Sequence, residues 1–315
     1  MKTTQLSNTG VEVSAFCLGT MYFGSKEDKA TSYQLLDQYA EAGGSFLDTA
    51  NIYAHWATNG VGGDSETLLS EWMRDRKNRE QMFIASKAGF EYQDVSRGLT
   101  VSRIEEECNK SLKRMGIETI DLFYAHLDDR ETTLEETLEA FDRLVKAGKV
   151  RLIGASNYLA WRLEEARWIS QSNNWAEYCC VQQRYSYARP KPGASFASQI
   201  SANDDLLDYC RSRNFTMLAY SPLLGGAYVE NRLDRTFADQ YVSPDTDARV
   251  AVLKTVAEET GATPNQVILA WMVQSAQAVI PLVAASTTKQ MQENLNALNL
   301  TLTEDQLMRL DVVSG

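Results

Sequence analysis

The sequence predicts an α/β fold in which eight parallel strands close into a (β/α)8 TIM barrel behind a short N-terminal hairpin. Three observations carry that expectation. Short, continuously apolar runs alternate with stretches of helical periodicity, and runs of that kind are strands buried on both faces. The chain has 315 residues, which suits one large barrel as well as two average domains. The segment after the first run, Gly19-Thr-Met-Tyr-Phe-Gly24, lacks the phosphate-binding fingerprint of an open doubly wound sheet, which makes that architecture the second choice. Residues 1–315 are therefore read as a single domain.

The elements follow in order. Turn residues Asn8-Thr9-Gly10 make the opening segment a hairpin, and Ala15 to Leu18 is the first apolar run. Lys29 to Ala42 carries apolar residues at helical spacing and stops at Gly43-Gly44, a helix-ending signal. Ser45 to Thr49 is a short buried strand, and Asp64 is the expected N-cap of a helix through Met73. Strand Met82 to Ser86, helix Val101 to Met115, strand Ile120 to Tyr124 and helix Leu134 to Lys146 come next. Strand Val150 to Ala155 leads to helix Ala160 to Ser170, a strand around Tyr178 to Gln182, helix Asp204 to Arg213 and strand Phe215 to Ala219. Helices near Ala248 to Glu259 and Pro264 to Gln274 precede a final strand, Val279 to Val283, and helix Lys289 to Leu298. The cluster Gly60-Val-Gly-Gly63 follows no clear strand and reads as a loop. Leu223 to Pro244 is long and aperiodic, a candidate lid.

Composition narrows the partners. Lys plus Arg number 31 and Asp plus Glu 42, a net charge of −11 without long runs of one sign. Such a surface repels nucleic acid and anionic lipid, so neither is an expected partner. The start has no apolar core of signal-peptide length, and the runs Val267 to Val273 and Ala278 to Ala285 are too short to span a membrane. A cytoplasmic location is expected. Five cysteines without a CxxC spacing, and His55 and His126 as the two histidines, argue against disulfides and a zinc site.

Barrel enzymes place reactive groups at the C-terminal ends of strands. Asp48 ends the second expected strand, Lys87 the third and His126 the fourth, and Tyr53 lies just after Asp48. Singly, each has an ordinary explanation: a turn cap, a loop aromatic, a surface charge, a half-buried imidazole. Together, at one mouth, they are hard to explain as packing, because buried charges are costly unless paired.

The sequence resembles the aldo-keto reductases from about Val11 to about Leu300. The matching segments are Leu18-Gly-Thr-Met-Tyr-Phe-Gly24, Phe46-Leu-Asp-Thr-Ala-Asn-Ile-Tyr53, Ala85-Ser-Lys87, Asp121-Leu-Phe-Tyr-Ala-His126, Gly148 to Asn157, Ala219-Tyr-Ser-Pro-Leu223 and Glu293-Asn294. The resemblance implies a (β/α)8 barrel, NADPH as cofactor with NADH possible, and reversible reduction of a small-molecule aldehyde or ketone. It implies Tyr53 as general acid with Asp48, Lys87 and His126 completing a tetrad. In that scheme Lys87 lowers the phenol pKa, Asp48 fixes Lys87, and His126 orients the carbonyl.

The same resemblance puts Gly19, Thr20, Met21 and Asp48 at the cofactor. It sets Ser156 and Asn157, after the fifth strand, and Gln182, after the sixth, against the nicotinamide carboxamide, with Tyr220 stacked on the ring. Ser221-Pro222-Leu223 and Ala284-Ala-Ser286 would hold the phosphates near a helix N-terminus. Gln290 and Asn294 would face the adenosine, with Glu293 beside them. Four positions depart from the family pattern: Ala284, Gln290 where many relatives have an Arg that reads the 2′-phosphate, Leu224 and Arg184. Lys289 is a candidate substitute cation. Tyr22, Phe23, His55, Trp56, Phe90, Asp128 and Tyr228 are candidates for the substrate pocket, suited to a sugar carbonyl or an aromatic aldehyde. Trp161, Trp168 and Trp175 read as packing residues. Two other functions fit the same residues, a barrel aldolase or isomerase with Lys87 as Schiff-base nucleophile and a non-catalytic subunit that senses the cofactor. Nothing in the pattern specifies an oligomeric state.

Overall fold

A computed structural model describes residues 1–57, 61–230, 238–275 and 279–312. Two strands, β1 (Thr3–Gln5) and β2 (Glu12–Ser14), pair antiparallel as the expected hairpin. The next eight are β3 (Cys17–Gly19), β4 (Phe46–Asp48), β5 (Phe83–Ala88), β6 (Ile120–Ala125), β7 (Val150–Ser156), β8 (Tyr178–Arg184), β9 (Thr216–Tyr220) and β10 (Ile280–Val283). They form a closed parallel barrel in the order β10-β3-β4-β5-β6-β7-β8-β9, and the pairing of Leu282 with Cys17 helps complete the ring. This is the (β/α)8 barrel that the alternation predicts.

The core has two layers. Inside the barrel, Cys17, Phe46, Phe83, Leu122, Tyr124, Cys180, Leu218 and Leu282 pack together with Leu6 and Val13 of the hairpin segment, which thus floors the barrel. Ser7 fixes that floor: its Oγ donates to the Cys179 carbonyl at 2.5 Å, its N donates to Thr216 Oγ1, and Thr216 N donates to its Oγ, both at 2.7 Å. A larger cluster, including Leu35, Trp72, Ile104, Phe141, Ile153, Val256 and Ile268, fills the space between strands and surrounding helices. The five cysteines are buried free thiols. Among the described residues no helix is long and apolar enough to cross a membrane.

Helices Val101–Met115, Leu134–Lys146, Asp204–Arg213 and Pro264–Gln274 have the expected bounds. Other bounds differ. Strands β5 and β8 each run two residues past their expected ends, because the parallel ladder continues through Ala88↔Ala125 and Arg184↔Tyr220. The helix after the glycine cluster spans Asp64–Arg76, and its N-cap is Gly63 at φ 79°. Asp64 is instead its first residue, where a carboxylate favours the helix dipole. The helix expected from Ala248 begins at Pro244, because Ser243 caps it and proline suits the first helical position. The last barrel helix is Thr288–Asn296, continued by a 3₁₀ turn, Ala297–Asn299. Helix Glu304–Asp311 was not expected, although Thr303 and Gln306 form a capping box that announces it.

Within the candidate lid, Leu224–Gly226 is a 3₁₀ turn and Ala227–Glu230 and Ala238–Tyr241 are single helical turns. Residues 231–237 of that stretch, Gly60 of the glycine cluster, and Ala278 of the last apolar run lie outside the described residues.

Candidate active site

Three neighbouring strands, β4, β5 and β6, bring the ionisable side chains together. Gly19 pairs with Asp48 across β3 and β4, and both the N and the Oγ1 of Thr20 donate to the Asp48 carbonyl, so the strand end is fixed from one side. Lys87 is the penultimate residue of β5 and is completely buried, as is Asp48. Its ammonium donates to Asp48 Oδ1, to the Thr49 carbonyl at 2.8 Å and to Tyr53 Oη at 3.0 Å. Asp48 Oδ2 accepts from Gln182 Nε2 at 2.7 Å. His126 directly follows β6, with its backbone N on the Ala88 carbonyl. Its ring lies 6.2 Å from the Tyr53 ring and 4.7 Å from that of Phe90, and its buried Nδ1 has no hydrogen-bond partner.

Burial dominates the electrostatics. Burial alone would depress Lys87, but Asp48 and Tyr53 outweigh it and hold its pKa above the usual lysine value, so it stays an ammonium. Burial pushes the Tyr53 phenol up, and Lys87 offsets only part of that rise. This corrects the expectation that Lys87 leaves Tyr53 below its ordinary value. Burial, then Lys87, push His126 well below the usual histidine range, so its imidazole is neutral near pH 7.

The expected nicotinamide contacts lie beside this cluster. Ser156 ends β7, and Gln182 sits inside β8 rather than after it. Ser156 Oγ donates to the Gln182 carbonyl at 2.9 Å. Asn157 adopts φ 60°, accepts from Tyr220 Oη at 2.7 Å and donates to the His126 carbonyl at 3.1 Å. Asn157 therefore ties the ends of β6, β7 and β9 together. Tyr220 is half-buried at the end of β9, and the Arg184 guanidinium lies 5.7 Å from its ring centroid.

At the other end of the expected cofactor site, several side chains are already engaged. Thr20 is buried, its hydroxyl shared with the Asp48 carbonyl and Ser65, whereas Met21 is exposed. Ser221 and Leu224 both take left-handed backbone conformations, at φ 57° and 48°; Pro222 is buried and Leu223 half-buried. Ala284 is exposed, and its carbonyl accepts from Asn294 Nδ2 at 3.0 Å. Glu293 Oε1 accepts from Thr263 Oγ1 at 2.6 Å, the N-cap of the preceding helix. The side chains of Asn294 and Glu293 thus brace the last βα unit. Gln290 is exposed and its Oε1 accepts from Ser286 N at 2.9 Å, while Ser286 Oγ donates to Glu27 Oε1 at 2.5 Å.

Of the expected substrate residues, Tyr22 and Trp56 are exposed and meet edge to face, with His55 against Trp56 and Phe90 against His126. Phe23 and Tyr228 belong instead to the core, the latter's hydroxyl accepting from Ala188 N. Asp128 is committed to Arg130 and Arg162. Trp161 and Trp168 are exposed, and Trp175 is half-buried against the core. Two cavities of about 520 and 760 Å³ lie at the opposite end, lined by the hairpin, Thr216 and Ile280 in one and by Phe83 and Asp121 in the other. Among the described residues, no cluster of three or more His, Cys, Asp or Glu is placed to hold a metal.

A buried network behind the site escaped the sequence reading. Glu66 accepts from Ser86 Oγ and Arg114 Nε, both at 2.6 Å, and Glu107 accepts from Asn51 Nδ2 at 2.6 Å and Tyr92 Oη at 2.5 Å. These bonds brace Lys87 and Tyr53 through their neighbours. Glu107 falls on the Ile104–Cys108–Ser111 face of its helix, and a charge on that buried face was the available signal.

The sequence profile of the Aldo/keto reductase family matches residues 15–314. The chain belongs to that family. As an aldo/keto reductase it is a nicotinamide-dependent oxidoreductase. It is 29% identical to the uncharacterized oxidoreductase YrpG of Bacillus subtilis (strain 168), over 100% of this chain and 97% of that protein. It is 27% identical to the norsolorinic acid reductase stcV of Emericella nidulans, over 96% of this chain and 78% of that protein. It is 29% identical to the aryl-alcohol dehydrogenase [NADP(+)] of Phanerodontia chrysosporium, over 96% of this chain and 83% of that protein.

Proposed function

We propose that this aldo/keto reductase reduces an aldehyde or ketone to the alcohol, with Tyr53 as general acid. The observation that carries the proposal is the single buried ammonium of Lys87 held between Asp48, the Thr49 carbonyl and Tyr53 Oη. The residues suit a nicotinamide cofactor: the Ser156 hydroxyl, the Asn157 and Gln182 amides and the half-buried Tyr220 ring lie together beside Asp48. When bound, that cofactor supplies the hydride.

The chain's own groups handle the proton. As the carbonyl oxygen becomes negative, Tyr53 donates its phenolic proton to it and forms the alcohol O–H bond, and Lys87 stabilises the phenolate that remains. A phenol held above its ordinary pKa is fully protonated near pH 7, the form that reduction needs. Neutral His126 offers an N–H to the same oxygen and orients it. The reverse oxidation needs the phenolate and is favoured by alkaline pH.

The aromatic rim of Tyr22, Trp56 and Phe90 favours an aromatic carbonyl over a sugar. The aryl-alcohol dehydrogenase [NADP(+)] points the same way, and the NADP(+) in its name favours NADPH. A Schiff-base role for Lys87 is disfavoured by its three acceptors, which keep it protonated. The test is a panel of aromatic aldehydes and ketosugars assayed for consumption of NADPH and NADH. Turnover that disappears with Tyr53→Phe supports the proposal. Borohydride trapping of substrate on Lys87 would replace it with the aldolase reading, and cofactor binding without single-turnover hydride transfer would leave the sensing subunit.

A further inference from the structure

The substrate side of the mouth carries a positive charge that the proposed chemistry does not use. Residues 89–98 form a compact loop after β5, closed at its stem where Gly98 N donates to the Gly89 carbonyl at 2.9 Å. The tip is closed as well, since Tyr92 and Val95 exchange backbone hydrogen bonds at 2.8 and 3.0 Å. This frame holds half-buried Phe90 edge-on to His126, with ring centroids 4.7 Å apart, and sets the exposed Arg97 guanidinium 5.5 Å from the Phe90 centroid. Two links of that length put the guanidinium no more than about 10 Å from the imidazole. Arg103 donates to the Arg97 carbonyl at 2.7 Å and to Ser96 Oγ at 2.5 Å, which brings a second guanidinium to the same loop. Among the described residues neither arginine forms an ion pair, whereas Arg130 and Arg162 both hold Asp128. Asp129 is engaged by Leu99 N and Thr132 Oγ1, and the loop's own acids, Glu91 and Asp94, are exposed and pair with neither guanidinium. A protein of net charge −11 thus presents a cation without a carboxylate beside an aromatic wall of its proposed substrate site.

Resting on the carbonyl-reduction reading above, we infer that Arg97 binds a carboxylate on the substrate, so that the preferred substrates are aromatic aldehydes or ketones with an acid group about one ring away from the carbonyl. With the carbonyl oxygen at Tyr53 and His126, and a hydrogen bond of about 3 Å at each end, the remaining span suits a single benzene ring. Phe90 lies between the two ends and supplies the aromatic contact for that ring. The planar fork of a guanidinium matches both oxygens of a carboxylate, whereas a neutral ester of the same shape offers it no charge. The acid group lies away from the reacting carbon, so it is held equally in the ground state and the transition state. Its effect therefore belongs to KM rather than kcat.

The test compares 4-carboxybenzaldehyde with its methyl ester, two substrates of similar shape that differ by one negative charge. The full chain is assayed on each with NADPH and with NADH. The kcat/KM for the acid should exceed that for the ester by about tenfold, the size of one hydrogen bond between charged groups, and the difference should lie in KM. Raising the salt from about 0.05 to about 0.5 M should shrink the ratio, because exposed charges are screened. Arg97→Gln should bring the ratio close to one, Arg97→Glu should bring it below one, and Arg97→Lys should keep part of it. Lys26→Gln is the comparison, since Lys26 lies 5.0 Å over the Tyr22 ring and is joined to Tyr53 through Tyr22 and Trp56. A ratio near one in the natural protein overturns the inference, as does a ratio that Arg97→Gln leaves intact or that Lys26→Gln lowers more. Failure of both probes while other aromatic aldehydes are reduced overturns it too. Absence of turnover across the whole aldehyde panel would instead defeat the carbonyl-reduction reading, and this inference with it.

Discussion

Replacing Asp48 by Asn removes the carboxylate that Lys87 touches while keeping nearly the same shape. Both side chains are fully buried, and the ammonium would retain the Thr49 carbonyl at 2.8 Å and the Tyr53 hydroxyl at 3.0 Å, neither of them charged. Removing one partner of a buried pair costs about 3–5 kcal/mol. That is a large part of a typical stability of about 5–15 kcal/mol. Urea denaturation at pH 7 should show it as a lowered midpoint with little change in slope. The pH dependence carries a second signature. In the natural protein the folded pKa of Lys87 is raised, so its contribution is complete below the unfolded value of about 10.4 and is lost as pH climbs through the folded value. In Asp48→Asn, burial governs and the folded pKa falls below the unfolded one. The folded state then binds fewer protons, and this contribution rises with pH up to about 10.4. The two proteins should therefore converge in stability as pH increases from 7 to 10. A loss under about 1 kcal/mol at pH 7, or a gap that widens with pH, would refute the assignment of Lys87 as a buried ammonium that depends on Asp48.

Other consequences can be measured independently. Tyr53→Phe should lower kcat/KM for carbonyl reduction by about a hundred- to ten-thousandfold while cofactor still binds by fluorescence titration; an unchanged rate would remove Tyr53 as the acid. Because His126 titrates well below the usual histidine range, kcat for reduction should show no inflection near pH 6.5, and an inflection there that vanishes in His126→Gln would contradict its neutral state. A methyl group at Gly44 would fall 2.4 Å from the Tyr39 ring, whose hydroxyl donates to the Phe16 and Phe46 carbonyls. Gly44→Ala should therefore cost about 1–3 kcal/mol in denaturant titration, the range for overpacking a filled site.

Much of this architecture was legible in the sequence because apolar run and helical period alternate with little interruption, and four helices matched at both ends. Lys87 and His126 could be placed at the barrel mouth for the same reason. What escaped was non-local. The extra residues of β5 and β8 are set by ladder partners about 40 residues away, such as Ala125 for Ala88, and no local pattern reports them. The direction of the Tyr53 shift depends on how completely three-dimensional burial outweighs one neighbouring charge, so a residue list that names Lys87 gives only one side of the balance. The family resemblance puts Glu293 and Asn294 at the adenosine, whereas in the fold their side chains hold Thr263 and the Ala284 carbonyl, partners that only the folded chain supplies.

The hairpin under the barrel also sets an order of assembly. Ser7 finds its partners 172 and 209 positions along the chain, at Cys179 and Thr216. Thr216 must therefore be synthesised before the hairpin can complete its docking, and until then Leu6 and Val13 wait beside an unfinished ring. The hairpin is thus made before the strands on which it settles, which places a folding hazard at that segment.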